Sequence, residues 1–548
     1  MVGVEQRGTT RYVSPMRARR WLRRCAVLCA VVAVPGIAVA QRPVPPQLST
    51  WRGPSGALRP VAFEALHVLE AASDDGLSPD DYEADALAHR AATGIGPDGQ
   101  FESDLTRSVL RYLRDVHMGR VNPRQVGFTL NVPEDGHDFH AWLLDAVREG
   151  TLAPLVARVR PQGDAYAALR GALRVYRQRD VPVPRWTSAR AVRPGEPFEA
   201  APALREFLRA VGDLPASPGT DGIEPPREFD AGIAGDATTT YDPRLVAGVV
   251  RFQRRHGLTA DGVLGPRTRA ALAVPLAHRV LQLELALERL RWLPHADAQR
   301  WLVVQVPFFE VEAWDGVPLT GVPAMRTGAV VGRAIDGRTP VFAATLSEVV
   351  FRPYWNVPRS IVRKELLPVL RRDSGYLAAH EMELVDGPGD DSRVVPASAA
   401  ALDALAEGTV RLRQRPGAMN ALGLVKLSFP NATDVYMHGT PAMALFSRAR
   451  RDFSHGCIRL EDSAGVTTWA LRDVPGWDRA AVERAMHATA TTRVPLPTPV
   501  RVLVFYTTAQ IDPETGDVRF AEDIYHHDAR LQSHLKAVRA RRASPRYQ

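Results

Sequence analysis

The residues that could do chemistry are gathered in "RDFSHGCIRL", residues 451–460, where Cys457 follows His455 and Gly456 and precedes Arg459. A catalytic thiol needs a route to the thiolate, a base that relays protons, and donors for an oxyanion. A free cysteine titrates near about 8.5, so a neighbouring imidazole is the usual activator. Two imidazoles qualify, His455 and His438; fifteen residues separate His438 from Ser454. Gly456 permits close backbone approach, and the N–H groups of Gly456 and Cys457 could form an oxyanion hole. In an extended chain Arg459 shares a side with Cys457, where its guanidinium could hold a carboxylate. Two other readings compete. The thiol could be a small buried hydrophobe, or His438, His455 and Cys457 could hold zinc, although no fourth ligand stands at a suitable spacing.

These residues must be carried by strands. "DVYMHGTP" ends a short one, whose alternation puts Val435 and Met437 on one face and Tyr436 and His438 on the other. From Trp301 onward the chain is β-rich: Leu302, Val304, Val306 and Phe308 recur at period two, as do Val500, Val502, Val504 and Tyr506.

The chain has 548 residues and a net charge of +8, too long for a single core. Seven arginines and one glutamate in the first 40 residues account for +6 of that charge. The body therefore carries no basic stripe of the kind nucleic acid demands. "MRARRWLRRCAVLCAVVAVPGIAVAQ" reads as a secretory signal, with Ala38 and Ala40 before the cut. Membrane contact is expected only if that segment stays uncleaved. Cys25 and Cys29 leave with it, so Cys457 has no disulfide partner within the mature chain. The basic residues 529–548 read as a solvated tail.

Residues 41–194 read as a helical scaffold: Leu105, Val109, Tyr112, Leu113 and Val116 form one apolar stripe, and "DGLSPDDY" is a turn feeding a helix start. Residues 279–294 read as an amphipathic helix, within a segment (278–300) that returns to the scaffold. Between them, "FQRRHGLTADGVLGPRTRAAL" resembles the peptidoglycan-binding type 1 module, a three-helix unit spanning about 195–277. The likeness rests on Phe252, Gln253, Gly257, Leu258, Asp261, Gly262, Gly265, Thr268 and Leu272.

"HGTP" followed by "SHGCIRL" resembles the H-x(14–17)-[S/T]-H-G-C signature of YkuD-type L,D-transpeptidases. "YWNVPRSI", "RQRPGAMNALGLVKLSFPN" and "PVRVLVFYTTAQIDPETGDVRF" add to the match. With scaffold and inserted module, the whole resembles the long periplasmic (YcbB-like) subclass. The resemblance implies a multi-domain α+β chain: a β-sandwich catalytic domain with short helices over 301–528, the helical scaffold, and the small module. It implies Cys457 as nucleophile and His438 as base, with His455 beside them. Ser454, Gly456, Gly439 and Tyr436 would shape the pocket and oxyanion hole; Arg459, Trp355, Asn356 and Asn420 would bind substrate. Many relatives carry Ser or Asp where Gly439 stands, so only a carbonyl could orient His438. Residues 351–412 would be a mobile lid. The implied partners are tetrapeptide stems of peptidoglycan and cell-wall synthases, in the periplasm, with no metal or cofactor.

Overall fold

The computed structural model describes residues 51–94, 98–130, 136–187, 190–214, 239–293, 299–335 and 337–542. Residues 1–40, read above as a secretory signal, residues 215–238 and the last residues, 543–548, lie outside them.

The apolar stripe of the scaffold lies on the helix Asp98–Met118. All five of its residues are buried in one core with the helices Pro60–Glu70, Ala84–Thr93, Phe139–Glu149 and Ala153–Val159. Asp138 starts one of these helices by accepting the Ala141 N–H at 3.0 Å, which satisfies a donor the helix leaves open. The helix Asp164–Arg177 turns elsewhere: Tyr166, Leu169, Leu173 and Tyr176 join the core of the β-rich region.

The three helices of the small module, Ala201–Val211, Pro243–Arg255 and Pro266–Leu272, enclose their own core, with Phe207, Leu245, Phe252 and Leu272 at its centre.

The expected amphipathic helix runs Leu276–Leu290 and is buried nearly all round. It touches the scaffold, where Arg177 pairs with Glu284 at 2.6 Å, yet most of its apolar residues belong to the β-rich core. Its polar side chains are buried with partners. Gln282 donates to the carbonyls of Thr508 and Ala521 at 3.3 and 3.0 Å, and Arg289 pairs with Asp528 at 2.5 Å.

The β-rich region is built from β1 (Arg300–Gln305), β2 (Glu310–Asp315), β3 (Met325–Gly332) and β4 (Phe342–Phe351), then β9 (Val425–Ser428), β10 (Met437–His438), β11 (Asp452–Ser454), β12 (Ile458–Leu460) and β13 (Thr492–Phe505). They form one sheet in the order β11-β3-β12-β10-β9-β4-β13-β1-β2. Because β2 also pairs with β3, the sheet folds back on itself, and its two layers pack their side chains face to face. The strand expected through Phe308 stops at Gln305. Pro307 starts a 3₁₀ turn, Val306–Phe308, and Phe309 reverses the chain at φ 57°; proline has no N–H for a ladder.

Between β4 and β9 the chain inserts β5 (Trp355–Asn356), β6 (Met382–Asp386), β7 (Arg393–Val395) and β8 (Arg411–Gln414), a second sheet in the order β5-β8-β6-β7. Val357, Ile361, Leu384, Leu405 and Leu412 give it a core of its own. A β-hairpin, β14 (Ala509–Ile511) and β15 (Val518–Phe520), follows β13.

The basic segment expected as a solvated tail is instead part of the helix His527–Arg542. Arg542 holds the nearly buried carboxylate of Asp115 at 2.6 and 2.9 Å, so two of its donors satisfy a scaffold charge that burial would otherwise penalise.

Candidate active site

Three adjacent strands build the thiol face. Met437 pairs with Ile458 and His438 with Arg459 in parallel register, while His438 pairs with Lys426 across the antiparallel ladder. Val435, Met437 and Ile458 point into the core. By alternation, Lys426, Tyr436, His438, Cys457 and Arg459 share the opposite face.

His438 is buried, and its Nδ1 lies 2.6 Å from the carbonyl of Gly439. A carbonyl thus occupies the orienting position that a side chain cannot fill here. With Nδ1 as donor, Nε2 carries the lone pair. Burial, with the Arg459 charge adding to it, pushes the imidazole down to about 3. The half-buried thiol is pushed up by burial, against hydrogen bonds from Tyr436 and the charges of Lys426 and Arg459. A lowered imidazole and a raised thiol are both neutral near pH 7, and the two share one face of the sheet. The Cys457 Sγ–H lies 4.0 Å from the Asp434 carbonyl.

The loop beneath the sulfur is tightly tied. Ser454 Oγ donates to the Cys457 carbonyl at 2.5 Å and accepts from the Gly456 N–H at 3.1 Å. Gly456 adopts φ 122°, a region closed to side-chain residues. Its N–H, expected to face an oxyanion, is engaged by Ser454 Oγ. Thr339 clamps the loop from below, donating to the Gly456 carbonyl and accepting from the Gly332 N–H, both at 2.8 Å.

Not every expected residue joins this face. His455 is exposed, and its Nε2 lies 2.6 Å from Glu365 of the inserted domain and also meets Arg333. It links the thiol loop to the insertion. Among the described residues no cluster gathers three metal-ligating side chains. Trp355 does reach the site: it hydrogen-bonds the Tyr436 hydroxyl, which also meets the thiol. Its neighbour Asn356 faces the other way, accepting from Arg411 at 2.8 Å. Asn420 is fully buried and donates to the carbonyls of Pro353, Gln414 and Arg415 while accepting from the Leu422 N–H. It shapes a loop and has no free atom for substrate. Gly439 donates to the Val425 carbonyl at 2.9 Å.

Lys426 is the residue the motif reading overlooked. Its ammonium sits 4.2 Å from the centre of the Tyr436 ring, and burial lowers its pKa. The nearest carboxylates, Glu348 and Asp390, are both held by Arg493. Neither Lys426 nor Arg459 makes an ion pair among the described residues, and the Arg459 Nε is buried without a partner. Two cations on the face of the thiol are thus left open to an anion.

In the small module, the expected residues are structural. Phe252 is core, and Gln253 is 1 % exposed. Gln253 donates to Asp261, the Val263 carbonyl and Thr268, and accepts from the Gly262 N–H. Gly262 turns at φ 70°, and Gly265 precedes the last helix.

A closed sheet, a four-stranded insertion and one face carrying Cys457, His438, Tyr436, Lys426 and Arg459 make up this region. Residues 316–495 match the family model of the L,D-transpeptidase catalytic domain, YkuD. Residues 48–173 match the "Scaffold domain" model, and 228–272 the "Putative peptidoglycan binding domain" model. The chain thus carries a YkuD-type catalytic domain behind a scaffold domain and a peptidoglycan-binding-type module. It is similar to a curated Haemophilus influenzae protein named "Putative L,D-transpeptidase", 30% identical over 250 residues, which are 46% of this chain and 48% of that one. The chain therefore aligns with about half the length of that relative. Among solved structures, Bd1075 of Bdellovibrio bacteriovorus matches at 13% identity over 45% of this chain and 61% of that one, with a TM-score of 0.16.

Proposed function

We propose that this chain is an exported L,D-transpeptidase that cross-links peptidoglycan in the periplasm through a thioester on Cys457. The observation that carries the reading is the face shared by Cys457, His438, Tyr436, Lys426 and Arg459, inside a domain of the YkuD family.

In the first half-reaction the sulfur attacks the carbonyl joining the L-centre of diaminopimelate to the terminal D-alanine. The neutral pair makes this general-base catalysis: Nε2 of His438 takes the thiol proton as the C–S bond forms. The Cys457 N–H and the Tyr436 hydroxyl face the oxyanion. The C–N bond then breaks, the proton passes from His438 to the leaving amine, and D-alanine departs. In the second half, the side-chain amine of another stem's diaminopimelate attacks the thioester. A C–N bond forms, the C–S bond breaks, and the proton returns through His438 to the sulfur. The product is a 3→3 cross-link. A thioester preserves the acyl group's reactivity, so the exchange needs no ATP. Stem peptides carry carboxylates, which suits the two open cations.

The inserted domain would cap the site and open for substrate, with His455–Glu365 as one of its contacts. The small module would bring the chain to its glycan, and cell-wall synthases would supply nascent strands.

Incubation of the protein with disaccharide-tetrapeptides, read by mass spectrometry, tests the reading. Cross-linked dimers are expected. Tripeptide alone would make the chain a hydrolase, with water as acceptor, and unchanged substrate would leave a wall-binding scaffold.

A further inference from the structure

The Gly456–Cys457 peptide carries the N–H that the proposed reaction sets against its oxyanion, and two hydroxyls hold the backbone around it. Each hydroxyl has a single hydrogen to give. Ser454 Oγ accepts from the Gly456 N–H at 3.1 Å and donates to the Cys457 carbonyl at 2.5 Å. Thr339 Oγ1 accepts from the Gly332 N–H at 2.8 Å, so its hydrogen goes to the Gly456 carbonyl, also at 2.8 Å. Ser454 therefore grips the peptides on either side. Among the described residues, Thr339 alone holds the Gly456–Cys457 peptide itself.

That bond fixes more than a carbonyl. A peptide is planar and trans, so its C=O and N–H point in opposite directions. Holding the Gly456 oxygen on the fully buried Thr339 thus aims the Cys457 N–H the other way. The aim has to be imposed, because Gly456, at φ 122°, has no Cβ to restrict its backbone. Among the described residues the Cys457 N–H meets no acceptor.

Thr339 is held in turn. Its N–H donates to the Tyr525 hydroxyl at 3.2 Å, and that hydroxyl donates to the Gly332 carbonyl at 2.6 Å. Tyr525 is buried. Gly332 has to be glycine for the chain to close here: a Cβ on it would strike the Gly337 carbonyl and the Thr339 nitrogen.

We infer that Thr339 is the positioning residue of the oxyanion donor: through the Gly456 carbonyl it points the Cys457 N–H at the oxygen on which negative charge develops, and Tyr525 and Gly332 hold Thr339. This deepens the acyl-transfer reading above and rests on it. A hydroxyl with that role acts on the transition state, so its loss separates kcat from KM and from the reactivity of the thiol.

The test compares two reactions of the same sulfur on the full chain. Release of D-alanine from a disaccharide-tetrapeptide passes through an oxyanion; alkylation by iodoacetamide, in which the sulfur displaces iodide, does not. T339V, close to threonine in size, should lower kcat for D-alanine release by about ten- to a hundredfold, at or below the cost of losing a whole oxyanion donor. KM and the alkylation rate should stay within about twofold of native. T339S, which restores the hydroxyl, should bring kcat back to within about threefold of native, and Y525F should fall between the two. Alkylation falling in step with release would make Thr339 a prop of the thiol loop and nothing more. T339V as fast as the native chain, or T339S as slow as T339V, would equally overturn the inference; if T339V does not fold, native kcat in Y525F overturns it. A native chain that is alkylated yet releases no D-alanine would instead strike down the acyl-transfer reading, and the inference with it.

Discussion

Buried charge is handled in opposite ways in two parts of this molecule. Where the scaffold meets the catalytic region, the charges are matched. The Asp75 carboxylate, with no exposure, is met by Arg160 and Arg170, both at 2.8 Å, and by the hydroxyls of Tyr112 and Tyr166. Glu288 is likewise met by Arg120 and Arg291. On the thiol face, Lys426 and Arg459 are also largely removed from water, yet no carboxylate pairs with either among the described residues. A matched cluster ties domains together. An unmatched pair of cations costs stability that only an anionic ligand recovers. The contrast separates architecture from site without reference to any motif.

The largest effect expected from breaking this comparison lies at His438. His438→Gln should slow D-alanine release by about 10²–10⁴-fold, the usual contribution of a positioned proton carrier, with little change in melting temperature. Next comes the junction. Asp75→Ala would strand Arg160 and Arg170, and chemical denaturation should show a loss of roughly 3–5 kcal/mol, with activity per folded molecule kept. Lys426→Met should do the reverse, raising KM for a carboxylate-bearing stem by about tenfold or more while leaving stability equal or higher. If Lys426→Met destabilised the fold as Asp75→Ala does, the contrast would fail.

Acid sharpens the same point. The folded-state values of His438 and His527 are both pushed down to about 3, chiefly by burial and next by neighbouring arginines, while an unfolded histidine titrates near about 6.5. The unfolded chain therefore binds more protons between these limits, so stability is fully present above about 6.5 and declines as the pH falls toward 3. Melting curves at pH 7, 5.5 and 4.5 should show it, and His438→Gln should make the decline shallower. The smallest effect is expected at the cap. Glu365 and His455 are partly exposed, so Glu365→Gln should cost less than about 1 kcal/mol, while hydrogen exchange in residues 355–414 should quicken.

Legibility from sequence followed chain distance. Gly439 is adjacent to His438, so the need for a carbonyl orienter was visible in two letters. Alternation puts Tyr436 with His438 and Arg459 with Cys457, while the pairing of Cys457 with His438 comes from the motif resemblance. Lys426 was missed because only the register of β9 on β10 brings it beside His438, and register is set by packing of the whole sheet. Glu365, ninety residues from its partner, was out of reach for the same reason. Asn420 and Asn356 failed in the other direction: their type suggested substrate contacts, but a buried amide must satisfy its own hydrogen bonds first. The helix Leu276–Leu290 looked amphipathic because its charges looked solvated, and their partners come from residues as distant as Arg120 and Asp528.

The most direct test is the intact mass of the full chain, taken seconds after mixing with a disaccharide-tetrapeptide. The mass should rise by that of the substrate less D-alanine, with the adduct on the peptide that contains Cys457, and the C457A variant should show neither adduct nor released D-alanine. Release of D-alanine by C457A at the native rate would remove the sulfur from the reaction.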